Sequence, residues 1–275
     1  MKYRVKKTFA FRLFYYFRAL FWSDDKIKTQ FLKRAHLLEK ANQNRQNNSI
    51  LNFEVNFLFS QLVRRGVTAD DSIRWARDVL FDANFHLKPK ETASVKYSSQ
   101  EIKIIEQAIK SRRSIRKWNN KPVKIEDIIQ AIDSAKWAPN SCNRQGWFFL
   151  IVSKKTDFKY IQNLTNQDFF VKAKVLIVAM IDRSKYNQNE TIYSYLDVGA
   201  AIQNLLLSLH SRGYGACWLG LKESPNFKNS INQFRQHFKI DKSLVPISFL
   251  AIGNYEKKPN SPLRKDTKEI YKNAK

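Results

Sequence analysis

Three clusters of side chains hold the chemistry this sequence offers. The first, Arg112-Arg113-Ser114-Ile115-Arg116, places three guanidiniums within five residues. Arg forks grip phosphate through paired N–H donors, and a serine hydroxyl adds another donor. Such a string repels itself unless solvent or an anion screens it, so it reads as a phosphate clamp or as a solvated basic turn. The second, Ala138-Pro139-Asn140-Ser141-Cys142-Asn143-Arg144-Gln145-Gly146-Trp147, is a polar loop. Its side chains and amides suit the edge of a flat heterocycle, or it is an ordinary helix-to-strand connection. The third joins Asp197-Val198-Gly199-Ala200-Ala201 to Gly213-Tyr214-Gly215-Ala216-Cys217-Trp218-Leu219-Gly220. Small residues there permit close helix packing, and the glycines let backbone approach a ligand.

Other chemistries are excluded by absence. No G-x-G-x-x-G occurs, because Trp218 stands where the third glycine of the nearest string belongs. There is no Walker A loop and no G-x-S-x-G elbow. The four histidines, at 36, 86, 210 and 237, never form H-x-x-x-H or H-E-x-x-H, so no metal site is expected. His210 reads as a structural or capping residue. With no acid–base or nucleophilic constellation evident, a bound cofactor is the expected carrier of any reaction.

The elements that must position these clusters follow from hydrophobic periodicity. Ser98 with Glu101 three residues on is a capping-box signature. It opens a helix with Ile102, Ile105, Ala108 and Ile109 on one face. A second helix is expected from Ile125 to Trp137, with Ile128, Ile129, Ile132 and Ala135 inward and Pro139 ending it. Trp147–Ser153 and Val175–Ile181 are continuous apolar runs of strand length, as buried strands are. A long helix spans Tyr193–Arg212 and ends at Gly213. Ala216–Leu219 and Ile247–Ile252 complete the strands, so a sheet layered with helices is expected.

Before Ser98 the pattern is helical. Phe31, Leu32, Ala35 and Leu38 mark one buried face, Ala41–Ser49 reads as a loop, and Phe53–Val63 and Ser72–Phe85 are further helices separated by Gly66. Lys88–Tyr97 reads as a linker, dividing the chain into a helical extension, 1–97, and a domain, 98–275. Met1–Lys7 is basic and Phe9–Trp22 is aromatic and aliphatic, but Arg12 and Arg18 interrupt it and no small-residue cleavage site follows. It is too short and charged to span a bilayer, which leaves a buried helix or an interfacial one.

Hydrophobic residues at 43% and charged residues at 27% fit a globular chain and exclude wholesale disorder or a polytopic membrane protein. The two cysteines, Cys142 and Cys217, cannot build a disulfide framework, which favours a reducing, cytoplasmic setting. A formal charge of +25 favours an anionic partner such as phosphate ligands or the acidic inner face of a membrane. Nucleic acid is disfavoured, since no RNA-binding aromatic signature or zinc-finger spacing accompanies the charge.

Taken in order, R-R-S-I-R, A-P-N-S-C-N-R-Q-G-W-F-F, D-V-G-A-A-I-Q-N-L-L-L and G-A-C-W-L-G resemble the FMN-dependent nitroreductase family, and Arg264-Lys265 matches a further basic element of it. The resemblance covers about Ser98 to Lys275. It implies an α+β sandwich around a mostly antiparallel sheet, a homodimer that shares its FMN sites, and NAD(P)H as electron donor. It implies that Arg112, Arg113, Ser114 and Arg116 hold the FMN phosphate, ribityl chain and pyrimidine edge, with Arg264 and Lys265 assisting at the phosphate. Pro139, Asn140, Ser141 and Asn143 would reach the flavin from the second subunit, and the backbone at Leu219 and Gly220 would lie near the reactive ring edge. No catalytic side chain is implied, because the flavin carries a ping-pong hydride transfer to a small-molecule acceptor. Two departures stand out. Gly146 occupies a position where the family commonly has Pro, and the N-terminal hundred residues are an addition. Within that addition, His36-Leu37-Leu38-Glu39-Lys40 is similar to an H-x-L-E-K string of extended nitroreductase-like proteins associated with polysaccharide biosynthesis. A rival reading keeps the fold without catalysis, as a membrane-associated partner protein.

Overall fold

The computed structural model describes residues 16–43, 48–67, 71–84, 93–221 and 226–274. Its first part is three helices, α1 (Asp24–Gln43), α2 (Ser49–Arg64) and α3 (Asp71–Asn84). Phe31, Leu32, Ala35 and Leu38 of α1 are buried as their spacing predicts, against Val55, Leu58 and Leu62 of α2 and Ile73, Ala76 and Leu80 of α3. The helix α1 runs two residues past Ala41, where a loop was expected, because Ala41 extends the buried stripe one turn beyond Leu38. Asn48 caps α2 by accepting a hydrogen bond from the Leu51 amide at 3.1 Å.

The basic start and the first half of the aromatic run lie outside the described residues. From Tyr16 onward the run divides its sides. Tyr16 packs edge-on against Phe53 and Phe57, and Ala19 is buried. Phe17, Leu20 and Phe21 are exposed, Phe21 at 77%. Arg65 donates to the carbonyls of Leu20 and Trp22, both at 2.7 Å, and so ties the run to the end of α2. Among the described residues no helix is long and apolar enough to cross a membrane.

The second part opens with α4 (Ser99–Ser111), whose capping box between Ser98 and Glu101 is formed in both directions. After α5 (Ile125–Ala135) come β1 (Trp147–Val152), α6 (Phe158–Gln162), β2 (Val175–Asp182), α7 (Thr191–Ser211), β3 (Gly215–Gly220), α8 (Phe227–Phe238) and β4 (Leu244–Gly253). The strands form one antiparallel sheet in the order β1-β2-β4-β3. Alternate residues of β2 and β4 face opposite layers. Ile177, Ala179, Ile181, Leu250 and Ile252 pack against α5 and α7, while Leu176, Val178, Met180, Phe249 and Ala251 pack against Phe158, Ile161, Phe170 and Phe234. Coverage of both faces explains why β2 reads as an unbroken apolar run. The architecture is the expected α+β sandwich.

Three expectations need correction. The strand β1 lies at the sheet edge and is only partly buried, with Phe148 exposed, so its apolar run is not that of a central strand. The helix α5 ends at Ala135, and Ile129, expected inward, is 55% exposed because it projects opposite Ile128 and Ala131. The face of α4 exists but is uncovered in the single chain. Ile102, Ile105 and Ile109 are all exposed, Ile109 at 53%, although the sequence marks them as a packing face.

Candidate functional site

The basic cluster leaves α4 in extended conformation, starting at its C-cap, Arg112. It lies along β3, with Ser114 bridging Ala216 in parallel and the Ile115 amide donating to the Ala216 carbonyl at 3.0 Å. The Trp118 indole donates to the Gly215 carbonyl at 2.9 Å. Glycine is required at 215 because a Cβ there would fall 2.8 Å from Ile115 and 2.7 Å from Tyr255. Sequence order thus becomes position, as the small residue of β3 lets the arginine segment lie flush against the sheet.

The guanidiniums converge electrostatically. Burial lowers the His210 pKa, and the positive charges of Lys258, Arg112 and Arg113 lower it further. Burial pushes the Cys217 thiol up, while Arg116 and Arg112 pull it back. Among the described residues no carboxylate forms an ion pair with Arg112, Arg113 or Arg116. Arg113 donates to the carbonyls of Lys110 and Arg112, and its buried Nε finds no partner. A run of cations without carboxylate partners, one of them with a buried unbonded donor, suits an anion. His210 lies in contact with Ser111 Oγ at 2.8 Å.

The polar loop is held in a demanding backbone. Cys142, Asn143 and Gln145 have φ of +54°, +50° and +50°, a region that side chains rarely enter. The surroundings hold it there. Asn140 Oδ1 accepts from the Gln145 amide at 2.9 Å, and the buried Asp197 of α7 accepts from the Ser141 amide and hydroxyl. Tyr186 donates its hydroxyl to the same carboxylate at 2.8 Å, and burial, then that bond, push the phenol well above its ordinary pKa. Asn143 Oδ1 accepts from the Gln145 side chain at 3.4 Å. Pro139 is exposed, while Asn140, Ser141 and Asn143 are half-buried.

Gly146 is explained by the same network. A Cβ there would lie 2.4 Å from the ring and hydroxyl of Tyr186. The glycine therefore admits the phenol that reaches Asp197.

At the far end of the loop Arg144 is 1% exposed. Its Nη2 donates to Glu190 Oε1 at 3.0 Å, and its guanidinium lies 5.3 Å from the Tyr186 ring centre. Lys33 of α1 donates to that same Glu190 oxygen at 2.7 Å. Burial alone would raise the Glu190 pKa, but Lys33, the Asn187 amide and Arg144 outweigh it and hold the carboxyl down to about 2.

Beside β3 an open cleft of about 460 Å³ is bounded by Tyr195 and Gly199 of α7, Trp218 and Gly220 of β3, and Ile247 and Ser248 of β4. Ser248 Oγ is buried without a hydrogen-bond partner. Gly220 is exposed at this cleft and Leu219 is buried beneath it. Arg264 and Lys265 sit exposed on the tail after β4, and no hydrogen bond among the described residues joins them to the Arg112–Arg116 segment. The Pro139–Asn143 loop likewise makes no hydrogen bond to that segment. Among the described residues no group of three His, Cys, Asp or Glu side chains converges to hold a metal.

A profile of the nitroreductase family matches residues 109–165 and 157–254, a span that contains the arginine segment, the strained loop and all four strands. The chain belongs to the nitroreductase family. A protein of Methanothermobacter thermautotrophicus named as an NADH dehydrogenase/NAD(P)H nitroreductase is 30% identical over 158 residues, 56% of this chain and 79% of its own. Among solved structures, a nitroreductase of Desulfovibrio desulfuricans in complex with FMN is 28% identical with a TM-score of 0.53, covering 61% of this chain and 94% of its own. A BluB-like flavoprotein of Clostridium difficile 630 is 25% identical with a TM-score of 0.54, covering 62% of this chain and 99% of its own.

Sequence reasoning missed the ionic cluster beneath the polar loop. Arg144 was visible only as one polar residue of the loop, and Glu190, Lys33 and Tyr186 were not singled out. One signal was present, since Asn187 and Glu190 have capping-box spacing and form that box.

Proposed function

We propose that this nitroreductase is an NAD(P)H-dependent FMN oxidoreductase that reduces a small oxidised organic acceptor, in two half-reactions that share one pocket. The observation that carries this reading is the Arg112–Arg116 segment, pinned along β3 at Ala216 with its cations unmatched by carboxylates, on the same strand whose Trp218 and Gly220 border an open cleft. That donor set fits a phosphate-bearing flavin. FMN, when bound, supplies the two-electron chemistry by accepting hydride from NAD(P)H and passing it to the acceptor.

The chain's own residues bind and orient. Arg112 and Arg113 hold the phosphate with Ser114, and Arg264 and Lys265 add positive charge from the tail. Arg116 places a cation at the pyrimidine edge, where negative charge grows on reduction. The backbone of Leu219 and Gly220 borders the reacting edge. Pro139, Asn140, Ser141 and Asn143 act from a second copy, and the loop strain is the cost of presenting them. A homodimer is supported by the uncovered faces of α4, through Ile102, Ile105 and Ile109, and of α7, through Ile192, Tyr193 and Leu196. In this reading residues 1–97 are a helical extension, supported by their own apolar cluster, and 98–275 are the flavin domain. The His36–Lys40 string points the acceptor toward a polysaccharide-related pathway, in the cytoplasm. Uptake of FMN by the purified chain, followed by its reduction with NADPH or NADH, tests the reading, and failure to bind FMN removes it.

A second reading, a non-catalytic partner protein at an acidic membrane face, draws on exposed Phe17, Leu20 and Phe21 and the charge of +25. Sedimentation with anionic vesicles, with and without residues 1–23, separates the two. Equal sedimentation of both forms removes the aromatic run from the argument.

A further inference from the structure

The helical extension does more than cover a surface. Its helix α1 meets the segment Ser184–Glu190 through three polar contacts. Thr29 Oγ1 donates to the Ser184 carbonyl at 3.0 Å, Gln30 Nε2 donates to Asn187 Oδ1 at 3.3 Å, and Lys33 Nζ donates to Glu190 Oε1 at 2.7 Å. That last oxygen is the one Arg144 uses. The other Glu190 oxygen accepts from the Asn187 amide and side chain at 3.0 and 2.6 Å. Each carboxylate oxygen therefore serves two donors, and its orientation is fixed from both sides.

Arg144 depends on this orientation. Its side chain is buried, and Nε and Nη1 have no partner, so among the described residues the bond to Glu190 is the only hydrogen bond of that side chain. The residues on either side of it, Asn143 and Gln145, are held at positive φ. A loop in that conformation persists only where its surroundings over-determine it. One anchor is Asp197 beneath Ser141, inside the flavin domain. Another is Lys185, whose Nζ donates to the Gln145 carbonyl at 3.2 Å. A third is Glu190 beneath Arg144, and that anchor is completed from outside the domain.

We propose that Lys33 of the helical extension is a positioning residue for the active site: by fixing Glu190 it seats Arg144 and sets the shape of the Asn140–Gln145 loop that meets the flavin. The extension is then part of the site, and a chain cut back to residue 98 keeps the Arg144–Glu190 bond but lacks the cation that completes it. The link to flavin rests on the function proposed above, whereas the link to loop shape does not.

The test uses the full chain with Lys33→Met, which keeps the length and removes the charge, and Lys33→Arg, which restores a donor and a charge. Amide hydrogen exchange of the FMN-free protein reads the loop directly. In Lys33→Met the amides of Ser141 and Gln145 exchange about tenfold faster while those of β2 and β4 keep their protection, as expected for losing one charged hydrogen bond at a largely buried acceptor. FMN affinity falls by about the same factor, and Lys33→Arg restores both. Unchanged exchange in the loop overturns the proposal, and so does an equal loss of protection throughout the chain, which marks Lys33 as a stabilising residue only. If the wild-type chain fails to take up FMN, the flavin reading falls, and the exchange comparison still decides whether Lys33 positions the loop.

Discussion

The ring of Tyr186 lies so close to Gly146 that a methyl group on that Cα would sit 2.4 Å from the phenol carbon and oxygen. Tyr186 cannot retreat without giving up its 2.8 Å bond to Asp197, which also holds Ser141. Gly146→Ala therefore overpacks a site that has no room to relax. The expected cost is about 1–3 kcal/mol, read as a fall in melting temperature of roughly 2–4 °C per kcal/mol. Gly146→Pro costs more, because Gln145 sits at positive φ, a conformation disfavoured before proline. Unchanged melting in both variants would mean that Tyr186 is not fixed where it is described.

Glu190 makes the protein sensitive to acid. Its pKa is held at about 2 in the folded chain, below the ordinary 4.5. For a carboxyl lowered in this way, the stabilisation is complete above the unfolded value and is lost as pH falls through the folded one. The window therefore runs from about 4.5 down to about 2, and the full effect is roughly 3 kcal/mol. Urea unfolding of the wild type between pH 6 and 3 should show part of this loss. Glu190→Gln should be less stable at pH 6 by about 3–5 kcal/mol, since Arg144 then lies buried without a counter-charge, and its stability should vary less over the same range. Parallel pH profiles for the two proteins would contradict the assignment.

Arg116 is exposed, so it can be removed with little effect on folding. If it places a cation at the pyrimidine edge, Arg116→Ala lowers the flavin midpoint potential by about 30 mV or more, the equivalent of one charged hydrogen bond. Reduction by NADPH slows in proportion, with FMN occupancy retained at saturating cofactor. A full complement of FMN with unaltered potential and reduction rate would take Arg116 out of this role.

Much of the fold was legible because it is written in local pattern. The capping box at Ser98 and Glu101, the apolar stripe of Phe31 to Leu38 and the runs that became β2 and β4 each need only neighbouring residues to be read. What sequence could not give was sheet order, so the edge position of β1 went unseen, and apolar content alone could not tell that α4 turns its isoleucines to solvent in the single chain. The site divided in the same way. Its arginine segment is contiguous and was visible, whereas Lys33 and Glu190 are 157 residues apart and meet only through the docking of α1. Glu190 sits in a polar stretch, Asn187 to Thr191, where nothing local marks it as the partner of a buried arginine.

The central claim is that this chain carries a flavin that NAD(P)H reduces. A visible absorption spectrum of the purified protein, supplied with FMN if colourless and then given NADPH and NADH in turn without oxygen, tests it most directly. Flavin bands that bleach on addition of either nucleotide are the predicted result. A protein that stays colourless after incubation with FMN would contradict the account and leave the Arg112–Arg116 segment as a feature of the fold alone.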